Sequence, residues 1–147
     1  MLPDNDINRF IEAQDATYSG YQQALNEIRD GKKTSHWIWY IFPQLRGLGF
    51  SRFSTYYGIT GKEEAKAYLE HPILGAHLRE ITQALLGHRG KQPISILGDI
   101  NATKVKSCMT LFDAVSPNDI FSQVLDTFYK GERCRKTLKK LNKEQPS

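Results

Sequence analysis

Ile7, Phe10 and Ile11 recur at helical spacing, and Tyr18, Tyr21, Ala24, Leu25 and Ile28 continue the stripe. Steps of three and four residues stack apolar side chains on one face of a 3.6-residue turn, so two successive helices are expected here. Asp15 is the expected cap of the second, and Asp30-Gly31 its stop. A different pattern follows. Ser35-His36-Trp37-Ile38-Trp39-Tyr40-Ile41-Phe42 is apolar on every side and ends at Pro43. Such a run reads as either a short buried helix or a central strand, and its helical neighbours favour a helix capped by Thr34 or Ser35.

Residues 43–58 read as loop, with Gly47 and Gly49 free to take backbone angles that other residues resist. Thr60-Gly61-Lys62-Glu63 has capping-box spacing and opens a helix expected to reach Leu69. Pro72 suits the first turn of the next helix, whose stripe is Leu74, Leu78, Ile81 and Leu85, with Gly87 and Gly90 closing it. A short strand is conceivable only around Ile94-Ser95-Ile96-Leu97. After Gly98-Asp99 comes a helix facing inward with Val105, Cys108, Met109 and Phe112. Ser116-Pro117-Asn118-Asp119 then starts another, striped by Ile120, Phe121, Val124, Leu125 and Phe128 and stopped at Gly131. A last basic helix over roughly 133–142 has Leu138 and Leu141 as anchors, and the final residues are expected to fray. The fold class is therefore all-α, with about six to eight helices in one domain and one short all-apolar helix at its centre. Residues 1–131 form the helical domain; 132–147 add the basic C-terminal helix and tail of that same domain.

With 147 residues, 39% of them apolar and 24% charged, the chain is long enough to bury a core and far from a disordered composition. No apolar stretch approaches the roughly 20 residues that span a bilayer, so no membrane association is expected. The first residues lack a secretory signal, and Cys108 and Cys134 read as ordinary thiols in a reducing, cytoplasmic compartment. The net charge of +4 is unevenly spread: seven of the Lys and Arg residues lie between Lys130 and Lys143 against the single acid Glu132, so the rest of the chain is net acidic.

The run from Ser35 through Pro43-Gln44-Leu45-Arg46-Gly47-Leu48-Gly49 closely resembles the signature of a family known as domain of unknown function 1810. Arg9-Phe10 with Ala13-Gln14, Tyr57-Gly58-Ile59, Glu64-Ala65 through Tyr68-Leu69, His71-Pro72-Ile73-Leu74-Gly75, and Lys104 with Ser107 through Phe112 extend the similarity over roughly residues 9–129. The resemblance implies a compact all-α fold in a mostly bacterial, uncharacterised family, and no settled activity. Cys108 stands where a second serine is common, and the basic tail lies outside the shared region.

Within that signature, His36, Trp39, Gln44 and Arg46 are the most informative cluster. An indole offers a flat face for stacking, and a guanidinium offers a planar fork suited to phosphate or carboxylate. Gly47 and Gly49 would let backbone N–H groups converge on an anion. Tyr57, Lys104 and Ser107 are expected to add an O–H donor, an anion contact and a hydroxyl. Against this stands core packing, because Trp37, Tyr40 and Ile41 have the spacing of an inward stripe. His36 is the first choice for an acid–base residue. His71 reads as a helix cap, and His77 and His88 as exposed. No His, Cys, Asp and Glu pattern has metal-ligand spacing, so neither metal nor cofactor is expected.

The leading expectation is a site for an anionic, ring-bearing small molecule, such as a nucleotide or phosphorylated metabolite, with enzymatic activity left open. The alternative is a module binding nucleic acid or another acidic partner through residues 130–143. A third is an interaction protein whose aromatic run is wholly core.

Overall fold

The computed structural model describes residues 7–144, and among them it contains ten helices and no strand. Where the apolar spacing is strongest the helices are longest. Leu74, Leu78, Ile81 and Leu85 line the buried face of α6 (Leu74–Leu86), and Val105, Cys108, Met109 and Phe112 that of α8 (Asp99–Val115). α8 is buried on more than one side, since Ala102, Thr110 and Leu111 are enclosed as well. Around these two pack α9 (Ile120–Tyr129), α5 (Lys62–Glu70), α2 (Tyr21–Arg29) and α7 (Pro93–Leu97). α1 (Asn8–Gln14) meets the four-residue α3 (Ile38–Ile41), and α10 (Arg135–Glu144) lies on α8. No helix among the described residues is long and apolar enough to cross a membrane.

The all-apolar run becomes the single turn of α3, with Trp37, Ile41 and Phe42 sealed in the core. Neither Thr34 nor Ser35 caps it. Their backbone N–H groups instead donate to Glu27 Oε1 on α2, at 2.7 and 2.9 Å, and Trp37 Nε1 donates to the same oxygen at 2.9 Å. A carboxylate holding three N–H donors anchors the connection more firmly than a hydroxyl cap would. Burial alone would raise the Glu27 pKa, but the Ser35 hydroxyl together with these donors outweighs it and brings the carboxyl down to about 2.

Several starts differ from the sequence reading because tertiary contacts outbid local signals. Two additional short helices appear: α4 (Arg52–Tyr56), capped by Ser51 Oγ, and α7, where Pro93 occupies the first turn of a segment that alternation allowed as a strand. Asp15 ends α1 rather than starting α2. Glu64, not Glu63, reaches back to the Thr60 N–H at 2.9 Å. Asp119 caps α9, and the expected cap Ser116 donates to the Asp119 carboxylate. His71 does cap, accepting from the backbone of Ile73 and Leu74. His77 and His88 are half-buried rather than exposed. His77 stacks on Tyr21 at 3.7 Å and bonds Gln14, while His88 Nε2 bonds the Ile28 carbonyl at 2.6 Å. On α10 the anchors are Thr137 and Leu141, and Leu138 stays at the surface. The expected fraying concerns 145–147, outside the described residues.

Because the folded Glu27 carboxyl titrates below its ordinary 4.5, its stabilisation is complete above that pH and is lost as pH falls toward 2. Glu27→Gln is expected to cost about 2 kcal/mol at pH 7 and to remove much of the acid sensitivity in that window. Urea unfolding from pH 7 downward, with parent and variant side by side, measures both effects.

Candidate functional site

From Phe42 the chain runs through Pro43 into a loop whose two ends are tied together. Ile59 N donates to the Gln44 carbonyl at 2.9 Å, and Arg46 N to the Ile59 carbonyl at 2.8 Å, an isolated parallel bridge between Leu45 and Ile59. The buried Arg9 guanidinium holds the far end. It donates to the carbonyls of Tyr56 (2.8 Å) and Gly58 (2.9 Å) and pairs with Glu64 at 2.8 Å. Gly58 is required at this crossing: a Cβ there would stand 2.6 Å from Arg46 Cα and 2.8 Å from the Ser54 carbonyl.

This closure leaves a hollow of about 10 Å³ beneath Trp39, Gln44, Tyr57 and Lys104. That is room for about one water, not for a ring. Trp39 instead packs on Phe53 at 4.8 Å, and Tyr57 lies among the rings of Phe10, Tyr40 and Tyr56. Through Gln44 and Lys104 the hollow adjoins a cleft of about 880 Å³ between α8 and the start of α10. The cleft falls within the size range of small-molecule sites. Its walls carry Lys104, Lys106, Arg133, Arg135 and Lys136 against Asp99 and Glu132, with Leu48, Ile100 and Leu138 as an apolar strip.

Not all of those cations are available. Lys106 pairs with Glu132 at 3.2 Å, and Arg133 with Asp113 at 3.3 Å. Lys104 is different. It is half-buried, no acidic group among the described residues pairs with it, and burial lowers its pKa. An ammonium held from water without a counter-charge is a place where an anion is stabilising.

Cys134 also lines the cleft, one residue before α10. Its backbone N–H donates to Thr110 Oγ1 at 2.9 Å, which fixes it to α8, and Ser107 Oγ lies 3.2 Å from its sulfur. Burial would raise the thiol's pKa; the hydrogen bond from Ser107, the nearby Thr137 hydroxyl and the backbone at Lys136 and Thr137 favour the anion and bring it below the ordinary value. Both cysteines are free, in keeping with the sequence reading; Cys108 is fully buried with its pKa pushed up, whereas Cys134 is half-buried with its pKa brought down. The Gly131 stop ahead of a basic helix was the available signal, since it puts Cys134 near a helix start.

The remaining candidates are dispersed. Gln44, Lys104 and Ser107 meet at the cleft; Trp39 and Tyr57 reach only the adjoining small hollow. Arg46 lies in a separate hollow of about 630 Å³ with Thr60, Lys140 and Lys143. There Gly47, at φ +99°, makes room for the Lys140 ammonium rather than for a bound anion, and Gly49 accommodates the Ser54 hydroxyl. His36 is exposed and lines none of these three hollows. Among the described residues no group of three His, Cys, Asp or Glu could hold a metal ion.

The fold and cleft define an all-α domain with a basic, partly apolar groove beside its last helix. The chain belongs to the family described as Protein of unknown function (DUF1810), whose model matches residues 4–141. The crystal structure of the conserved hypothetical protein Rv1873 from Mycobacterium tuberculosis is similar, with a TM-score of 0.89 and 39% identity, covering 94% of this chain and 97% of that one. No curated protein matches.

Gly58→Ala is expected to destabilise the domain by about 1–3 kcal/mol, because backbone on both sides of the crossing must yield. A shift of the urea midpoint at unchanged slope measures it.

Proposed function

We propose that the cleft between α8 and α10 binds an anionic small molecule, such as a nucleotide or other phosphorylated metabolite. One observation carries this reading: Lys104 is half-buried at the junction of the two hollows, with no acidic partner among the described residues. Arg135 and Lys136, at the start of α10, extend the positive surface, and the N-terminal end of a ten-residue helix adds its own positive potential. The apolar or ring portion of the ligand rests on Leu48, Ile100 and Leu138, since the space beneath Trp39 is too small for it. The two free cysteines fit the reducing, cytoplasmic setting read from the sequence.

Thermal shift with inorganic pyrophosphate and a panel of nucleotides and sugar phosphates tests the reading, because a ligand of the folded state raises the midpoint with its occupancy. Lys104→Ala is expected to weaken the anions that bind by about tenfold while leaving the unliganded melt close to the parent's. No shift with any anion at millimolar concentration, or equal shifts for parent and variant, overturns it.

A second reading rests on the separate hollow of Arg46, Lys140 and Lys143, which gives the outer half of α10 a phosphate-compatible surface. There the partner is nucleic acid, held electrostatically. Joint neutralisation of Lys139, Lys140 and Lys143 to Gln is expected to lower the dependence of log affinity on log salt by about two to three units for duplex DNA or RNA. An unchanged slope removes this surface from the account.

A further inference from the structure

The wall of the cleft surrounds one sulfur with hydrogen-bond donors. Ser107 Oγ, on a residue 4% exposed, stands 3.2 Å from Cys134 Sγ. Its single proton is shared between that sulfur and the Thr103 carbonyl at 3.3 Å, and a negative sulfur draws it more strongly. Thr137, three residues after Cys134, is fully buried with an Oγ1 that completes no hydrogen bond, and its hydroxyl favours the anionic sulfur. A buried hydroxyl without an acceptor is costly unless something nearby can accept its hydrogen bond. The sulfur, once negative, is that acceptor. The backbone N–H groups of Lys136 and Thr137 act in the same direction from the first turn of α10.

The charged groups that share the cleft with this sulfur come from each of its walls. α8 contributes Lys104, Lys106 and Asp99; the preceding segment contributes Glu132 and Arg133; α10 contributes Arg135 and Lys136. The balance is positive, and the sulfur is half-buried at an open cleft rather than sealed in the core like Cys108. A thiolate needs both conditions to react: stabilisation as the anion and access by a partner.

We propose that Cys134 is the nucleophile of the cleft, forming a covalent bond to an electrophilic carbon carried by an anionic ligand. The proposal rests on the anion-binding reading and names the reactive group of that same site. In the bond-forming step Sγ supplies the electron pair of a new S–C bond, and the leaving group departs with the pair of the bond that breaks. Sγ reacts as the thiolate, its proton having passed to solvent beforehand, so no base accepts a proton in the bond-forming step itself. Ser107 and Thr137 are positioning residues, acting through the sulfur and not on the ligand.

The test uses the full chain alkylated by iodoacetate or iodoacetamide across the pH range, with Cys134 and Cys108 peptides quantified by mass spectrometry. In this reaction the leaving group is iodide. Cys134 is expected to react with a midpoint below that of N-acetylcysteine, while Cys108 stays unmodified in the folded protein. Its rate ratio of iodoacetate to iodoacetamide is expected to exceed that of N-acetylcysteine several-fold, because the reagent's carboxylate is drawn to the positive walls. Thr137→Val exchanges an unbonded hydroxyl for a methyl of like shape and is expected to raise the midpoint without lowering the limiting rate at high pH. Ser107→Ala is expected to do the same. A Cys134 that titrates like the free thiol, is inert, or shows no preference for the anionic reagent overturns the proposal. Pyrophosphate thermal shifts of the Cys134→Ser protein read anion affinity without the sulfur, so loss of that binding and loss of thiol reactivity are separate failures.

Discussion

One buried guanidinium holds the loop side of the site in place. Arg9 is almost fully enclosed, and a bare charge there would be severely penalised by lost hydration. Its fork is answered by two backbone carbonyls and the Glu64 carboxylate, so the positions of Tyr56, Gly58 and α5 are all set by one side chain on α1. Glu64 passes the constraint on by accepting from the Thr60 backbone. Removing either member of such a pair leaves the other uncompensated, at a cost of about 3–5 kcal/mol. The Leu45–Ile59 bridge and the hollow beside Lys104 both depend on that anchoring.

The parts of the fold readable from the chain are those where burial follows a simple period. α2, α6 and α9 each present one apolar stripe whose central residues are buried, while Tyr18, expected on the first, is exposed and Ile120 and Phe128 of α9 are half-buried. α3, α4 and α7 are four or five residues long, too short for a period to show, and are fixed by what they touch. Caps differ from the local signals where another group makes the better partner, close in the chain for Glu64 and Asp119 and on another helix for Glu27. Glu27 takes the N–H groups of Thr34 and Ser35 from one helix away, a pairing with no local trace.

The site was legible in pieces. Lys104 and Ser107 are one turn apart on α8, and a helix guarantees that they share a wall. His36 and Arg46 are neighbours in the signature, but Pro43 and the bridge turn the chain between them, and each ends in different surroundings. Cys134 has one local trace, the Gly131 stop before the last helix, but its surroundings have none. Its partners Ser107 and Thr110 lie more than twenty residues away, and only the docking of α10 on α8 assembles them. The basic tail, a single feature in sequence, divides along its length: Arg133, Arg135 and Lys136 serve the cleft, while Lys140 and Lys143 border another hollow.

The cleft has unequal walls. α8 is enclosed on more than one side, whereas α10 is attached through Thr137, Leu141 and the bond from Cys134 to Thr110. Local opening free energy follows such differences, so the last helix is expected to open before the body does. A molecule seated across both walls would act as a clasp, tightening that terminal helix in proportion to its own affinity. Its residence time would then be governed by how often the helix lifts, and not by the width of the cleft mouth.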